Sequence, residues 1–559
     1  MSTSNSCAPG NPVALAQRFR DAVSEIHRIK DIFQTPSISF GVVHQGQVVL
    51  RESIGYRDVE KGLDANPDTI YPISSCTKMF TSAAMGLLVD EGKVQWDDRV
   101  SKHVPEFNPR GDPRIASEAD IIDLLRHSMG YADPSYLCVG PRACHLIDSK
   151  TLIQLLNMMP TANAEGQRFN RCWMYSNSNF SLAGAIITRV AGQEFTEFIR
   201  SRILRPLQMN RTILTKADIQ DDNVVSQYTR LPNGTLKKLA TDHWPFDTNT
   251  AGLPGAGIGS SLNDMLTWCI SVLSAEREES ANGFTTTAPR PLKQMNRVRR
   301  GYWTRPSDDP NAGGEVAFGM GWIRMTHPTS MLGAYSGNGC SREAPWKLHQ
   351  SNILGTHSKK RVMVGHTGGS TGALATIWTF PETQSAVCTM VNMRELGDAS
   401  DFAAQILIQA LFDLEPRVDL VPWAMKEAEL NRSRPTNELL RPWMANRREE
   451  DHERDRIIYV GEYKGFGDLF TLAISAGQDT RLVVTFNYRE RTRSELVFFK
   501  KDTYSLFTGD LDYWLAEWFP YRDYCQTLLE FEVSNSGMVL GLWWMWNIDE
   551  ERAWLQRVD

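Results

Sequence analysis

The sequence predicts an α/β sandwich over residues 13–426, followed by a small antiparallel β-barrel or sandwich over 457–559. Three observations lead there. Helical and strand-like patterns occur at both ends of the first segment, so its own termini close it. A polar, mixed-sign run, Arg447 to Arg456, interrupts the chain before the second segment. From Ile457 onward, short strand-like runs recur with turns between them.

The elements follow in order. Residues 1–12 carry no periodicity and read as a flexible start. Val13, Leu15, Phe19, Val23 and Ile26 recur at helical spacing, predicting a helix over 13–33. Ser37 to Ile54 alternates as two strands about a turn at His44-Gln-Gly46. An amphipathic helix runs from Ser75 to about Gly92. Residues 181–208 read as two helices broken at Gly192. Val362–Val364 and Ala373–Phe380 read as strands flanking a glycine-rich turn. Gln384–Asn392 reads as a strand and Ala399–Leu414 as a helix. Residues 275–314 and 329–361 show little periodicity and read as surface insertions, candidate lids. Residues 427–456 read as a charged linker, whose closing run Arg447–Arg456 reads as a solvated linker or helix face. Six strands are expected beyond it: Ile457–Tyr463, Leu469–Ser475, Leu482–Phe486, Glu495–Lys500, Leu528–Val533 and Met538–Trp546. Trp514, Trp518, Trp543, Trp544, Trp546 and Trp554 read as barrel core rather than a ligand box.

Composition sets bounds on function. The chain has 559 residues, 42% hydrophobic and 23% charged, typical of a soluble globular protein with a large core. Net charge is −6 and no sizeable basic block occurs, which argues against nucleic acid as a partner. No run approaches the ~18 apolar residues of a membrane span. The first ten residues lack a basic region followed by an apolar stretch, so no secretory signal is expected and the location reads as cytoplasmic. Nine scattered cysteines without a C-x-x-C pair argue against a zinc site or disulfide framework. The cysteines read as reduced thiols, with a Cys138–Cys144 pair as the alternative. No metal or cofactor is expected, and the sequence is silent on oligomeric state.

Ser75 and Lys78 form a Ser-x-x-Lys at the head of a helix. A serine there has an N–H at the positively polarised helix end, and a lysine one turn on reaches its hydroxyl. That is a candidate activated nucleophile. Tyr175-Ser176-Asn177 lies one hundred residues later, just before a helix, and His366-Thr367-Gly368-Gly369 precedes the strand from Ala373. Taken in order, these three boxes resemble those of the class C β-lactamase and DD-peptidase superfamily of serine hydrolases. Leu124 to Tyr131, Gly257 to Asp264 and Phe318 to Trp322 support the resemblance, which covers roughly residues 13–415. It implies a β-lactamase/transpeptidase-like sandwich. The C-terminal unit is similar to the lipocalin-like barrel appended to some members.

The resemblance implies roles. Ser75 attacks an acyl carbon. Lys78 and Tyr175 share the proton, and the sequence leaves open which is the base. Asn177 orients Lys78 and the substrate. His366, Thr367 and Gly369 bind substrate, with the N–H groups of Ser75 and Gly369 as the oxyanion hole. Cys76 reads as packing and His127 as structural. Gly368-Gly-Ser370-Thr-Gly372 matches the Gly-x-Ser-x-Gly pattern, but a strand follows where that elbow requires a helix. Class C β-lactamases usually carry lysine in place of His366. A mostly neutral histidine points to esterases, peptidases or acyltransferases instead. The expected substrate is a small-molecule or short-peptide acyl compound: an ester, lactone or amide. Some fungal members work in secondary metabolism, which makes that setting plausible. Three outcomes stay open: hydrolysis, acyl transfer to an alcohol or amine, and a non-catalytic binding module that keeps the fold.

Overall fold

The computed structural model describes residues 12–161, 169–171, 173–239, 244–282, 290–305, 316–329, 332–333, 335–338, 353–478, 481–521 and 523–558. The expected flexible start, most of 1–12, lies outside these. So do 283–289 and 306–314 of the first insertion, and 330–331, 334 and 339–352 of the second.

A nine-stranded antiparallel sheet forms the larger part. Its strands are β1 (Ser37–His44), β2 (Gln47–Asp58), β3 (Leu63–Asp64), β4 (Trp303–Arg305), β5 (Val316–Phe318), β6 (Ile323–His327), β7 (Arg361–Ser370), β8 (Ala373–Phe380) and β9 (Ser385–Val391). The spatial order is β3-β2-β1-β9-β8-β7-β6-β5-β4. The amino-terminal hairpin therefore joins the late strands through β1 and β9, with Ile38 opposite Val391 and Phe40 opposite Thr389. Strand β1, Ser-Ile-Ser-Phe-Gly-Val-Val-His, is buried on both faces for all but its last residue. That fits a central strand covered by helices on each side.

One face is covered by α1 (Pro12–Ile32), which packs on the late helix Ala399–Phe412. Phe19, Ala22, Ile26, Ile29 and Phe33 supply the buried stripe at helical spacing. The other face carries α2 (Thr77–Asp90), α3 (Asn177–Ala191) and α4 (Leu262–Ala281). Gly192, in the left-handed region at φ +67°, ends α3. The late helix is α5 (Ala399–Phe412). Two helices on one face, three on the other and the sheet between are the expected sandwich.

The second segment is a closed eight-stranded antiparallel barrel: β10 (Gly461–Gly465), β11 (Phe470–Ala476), β12 (Leu482–Phe486), β13 (Arg489–Lys500), β14 (Thr503–Ser505), β15 (Leu528–Val533), β16 (Val539–Trp544) and β17 (Ala553–Arg557). Closure leaves no open edge. Strands β14 and β17 were not anticipated. They are short, and closure rather than alternation defines them. Trp514, Trp544 and Trp546 are core, whereas Trp518, Trp543 and Trp554 are half-buried, so the expected tryptophan core holds for three of six.

Two other expectations change. The stretch 427–456, read as a charged linker, begins as helix. Helix α6 (Val421–Arg434) continues through a wider turn at Pro435–Leu440 into Arg441–Asn446. Proline has no N–H to donate, which loosens the ladder there. The charges misled because Glu427 is buried and accepts from Asn431 Nδ2 at 2.7 Å. The first insertion is no simple loop either. Its described parts finish α4, bury Met295 and Val298, and supply β4.

Two groups tie the parts together. Trp443 at the end of the helical strut donates to Ser505 Oγ of the barrel at 2.9 Å. Arg142 reaches from the larger part to Arg491 O (3.1 Å), Arg493 O (3.0 Å) and Tyr513 Oη (2.7 Å), and pairs with Glu517. Among the described residues no helix is long and apolar enough to cross a membrane. No group of three or more His, Cys, Asp or Glu is placed to hold a metal there. Cys138 and Cys144 are free thiols.

Candidate active site

Ser74–Cys76 forms a single 3₁₀ turn that runs directly into α2, so Ser75 sits at the helix's amino end as expected. Ser74 takes φ +47°, a left-handed conformation that a non-glycine residue adopts at a cost of order 1–3 kcal/mol. Its neighbours hold it. Cys76 N–H donates to Ile73 O at 3.0 Å. Thr77 Oγ1 accepts from Ile258 N–H at 3.0 Å. The Cys76 thiol, read only as packing, donates to His366 O at 3.4 Å and so links the turn to β7.

Lys78 is fully buried. Its Nζ lies 3.2 Å from Ser75 Oγ, 2.7 Å from Asn177 Oδ1 and 2.9 Å from Gly255 O. Burial lowers its pKa to about 7, against the opposing pull of Asp133 and Cys76. The neutral amine is thus well populated near pH 7. An amine has two N–H groups and one lone pair. Two carbonyl oxygens take the hydrogens, and the lone pair is left facing Ser75 Oγ.

Tyr175 donates its hydroxyl to Ser75 Oγ at 2.7 Å. Burial of that hydroxyl, with Asp133 and Cys76 nearby, pushes its pKa upward. Its ring remains 37% exposed at the pocket mouth. The site therefore favours the phenol over the phenolate.

His366, Thr367 and Gly369 were expected in a turn. They lie within β7, and the chain turns two residues later at Thr371 and Gly372 (φ +68°). The glycines serve close approach rather than turning. A Cβ on Gly368 would fall 2.1 Å from Ile73 O and 3.2 Å from Ser75 N. We expect Gly368→Ala to push β7 off the nucleophile turn and cost about 10²-fold in acylation rate, with little loss of circular dichroism. Unchanged burst kinetics would contradict this.

His366 is 5% exposed, and its Nδ1–H donates to Thr367 O. Burial, then Lys78, holds its pKa down at about 3, so the ring is uncharged near neutrality. The Thr367 hydroxyl donates to Tyr335 O. Ser370, the alternative nucleophile, has a buried Oγ with no partner among the described residues, and β8 rather than a helix follows it.

Several site residues went unread in the sequence. His127, read as structural, stacks on Tyr175 at 4.7 Å and accepts from Ser176 N–H at 3.1 Å. Asp133 accepts from Ser176 Oγ at 2.6 Å and from Ser135 Oγ. Ser135 in turn accepts from Asn177 Nδ2 at 3.4 Å. That chain turns the Asn177 oxygen toward Lys78. No periodicity marks these residues, because they act through loops. His127 lies within the recognised Leu124–Tyr131 run, and the one sequence signal for Asp133 and Ser135 is their place just after it.

These groups open into a cavity of about 460 Å³, lined also by Trp173, Phe318, Trp322, Ile323 and Tyr335. Tyr335 is the contribution of the second insertion. Trp173 stacks on Phe318 at 3.9 Å, and Phe318 meets Tyr335 edge-on at 5.4 Å. No arginine lines it among the described residues.

Comparison with known proteins agrees with this architecture. The chain is 36% identical over 239 residues to Protein flp of Staphylococcus aureus strain MW2, which is 42% of this chain and 44% of that protein. It is 29% identical over 192 residues to a putative D-alanyl-D-alanine carboxypeptidase of Escherichia coli K12, covering 32% of this chain and 43% of that one. The chain thus spans under half the length of these relatives. The structure of the octameric penicillin-binding protein homologue from Pyrococcus abyssi matches 96% of this chain and all of that one, with a TM-score of 0.53 at 21% identity, and shares the fold. The Beta-lactamase family profile matches residues 26–411, most of the sandwich and all three boxes, and by that match the chain belongs to the beta-lactamase family.

Proposed function

We propose that the protein is a serine hydrolase that cleaves a neutral ester, lactone or amide through an acyl-enzyme on Ser75. The carrying observation is the position of Ser75 Oγ, 3.2 Å from Lys78 Nζ and 2.7 Å from Tyr175 Oη at the floor of an open cavity. Lys78, neutral and with its lone pair aimed at Oγ, takes the serine proton as Oγ attacks the acyl carbon. Tyr175, a phenol on the other side of Oγ, relays a proton to the leaving group. Asn177 and Gly255 O fix the amine. The N–H groups of Ser75 and Gly369 are the proposed oxyanion donors. Water then attacks the acyl carbon, and the same groups return the proton to Oγ.

The walls suggest the substrate class. A C-terminal carboxylate, such as D-alanyl-D-alanine bears, calls for a cation, and this cavity offers an uncharged His366. Aromatic walls suit an apolar or aromatic acyl group. Apolar walls around the acyl-enzyme are also what acyl transfer to an alcohol, the second reading, would use. Partition of one activated ester between water and added alcohol separates the two: product ratios insensitive to the alcohol leave hydrolysis alone.

Fluorophosphonate treatment followed by peptide mapping should place the adduct on Ser75. An adduct on Ser370, or none, would overturn the proposal. The pH dependence follows from Lys78. The base is the deprotonated amine, which dominates above its pKa, so the acylation rate should climb through about pH 7 and level off at higher pH. A flat profile from pH 5 to 9 would remove Lys78 from the base role.

A further inference from the structure

A second cavity, of about 570 Å³, lies between the sandwich and the barrel. It adjoins the Ser75 cavity at two places. Tyr335 lines the catalytic cavity, while Ser336 and Gly337, the next residues, line the second one. Gly369 lines the catalytic cavity, and Arg394 of the second cavity donates to Ser370 O, one residue on, at 3.3 Å.

Its chemistry differs from that of the catalytic cavity. Four arginines line it, Arg230, Arg394, Arg432 and Arg434, against two acids, Glu395 and Glu438. Glu438 is committed to Arg434 at 3.3 Å. Burial pushes the pKa of Glu395 upward, against the pull of Arg394 beside it, which leaves Arg230 and Arg432 as the cations facing no acid of this lining. Arg230 donates to Gly234 O at 2.8 Å and Gln34 O at 3.3 Å, and its buried Nε has no partner among the described residues. Carbonyl oxygens satisfy N–H groups without neutralising the cation, and a buried unpaired donor calls for an acceptor. The barrel segment supplies a further part of the lining. Trp514 stacks on Phe519 at 4.0 Å and 7°, and Trp518 stands beside them. Trp514 and Phe519 cover each other, so the apolar surface offered to a flat ring is that of half-buried Leu515, Trp518 and Pro520, in the same lining as the guanidinium donors for an anionic group.

We propose that this cavity is a second ligand site, for a small anion built on an aromatic ring, of the aromatic carboxylate class. The barrel's role is then to complete that site beside the catalytic one. The proposal does not depend on Ser75 chemistry, and its test is equilibrium binding rather than turnover.

The experiment is isothermal titration of the full chain with 2-naphthoate, with 2-naphthylmethanol as the uncharged control. Arg432→Met and Arg230→Met should each weaken naphthoate binding roughly tenfold. Both should leave naphthylmethanol binding nearly unchanged. Trp173→Ala, in the catalytic cavity, should leave naphthoate binding as it was. Arg432 is exposed, so its variant keeps the test sound if Arg230→Met disturbs the loop. Three results would overturn the site: no binding of naphthoate at millimolar concentration, equal affinity for the alcohol, or loss of binding in Trp173→Ala with none in the arginine variants.

Discussion

Ser75→Ala should leave no covalent adduct with any acylating probe and lower turnover by roughly 10⁶-fold, the scale seen when a nucleophile is removed from such a set. That is about 8 kcal/mol of barrier. The size follows from the geometry. Lys78 Nζ and Tyr175 Oη both converge on Ser75 Oγ and on no other nucleophile of the described site. Ser370 cannot substitute, because its Oγ is buried one strand end away, with no partner among the described residues. The fold should survive, since alanine keeps the Ser74–Cys76 turn and the Cys76 and Thr77 bonds that hold it. Mass spectrometry after probe treatment, beside a thermal melt, reads both halves. An adduct elsewhere with turnover retained would move the nucleophile.

Lys78→Ala and Tyr175→Phe should each lower the acylation rate by roughly 10²–10⁴-fold, the usual range of general acid–base help. Because both hydrogen-bond the same oxygen, the double variant should lose far less than the product of the two single losses. The Lys78 variant should also lose the rise through pH 7, whereas Tyr175→Phe should keep it, since the amine still titrates. Pre-steady-state acylation of a p-nitrophenyl ester across pH measures all three. Strictly multiplicative losses would mean that the two groups act independently.

Much of this site is legible in sequence because α2 and α3 begin at it. Ser-x-x-Lys puts two side chains on one helical face, and Tyr-x-Asn meets them at the next helix's start. The sandwich follows from period-3.6 and period-2 patterns that burial enforces. What stayed hidden has physical reasons. His366 to Gly369 looked like a turn because glycine usually means one, whereas Gly368 is needed for contact with Ile73 O. Residues 427–446 looked like linker because their charges pair along a helix, and Trp443 anchors its end in the barrel. Asp133, Ser135 and His127 act through contacts set by the fold, which no local spacing encodes. The choice between Lys78 and Tyr175 as base depends on burial, which becomes visible only when the two hydroxyl-facing atoms are placed.

The pairing of β1 with β9 has a consequence for biosynthesis. His44 and its partner Ser385 are separated by 341 positions. At roughly 5–20 residues per second, the ribosome takes on the order of 20–70 s to travel between them. Throughout that interval β1, apolar along the face of Ile38, Phe40 and Val42, has emerged without its neighbour on one side. A nascent chain in that condition is a template for pairing with other chains, so this protein should depend on holding chaperones while it is made. The active site shares the delay. Ser75 is synthesised early, but the strand bearing Gly369 arrives almost three hundred codons later, so the proposed oxyanion donors are brought together only after most of the chain is made.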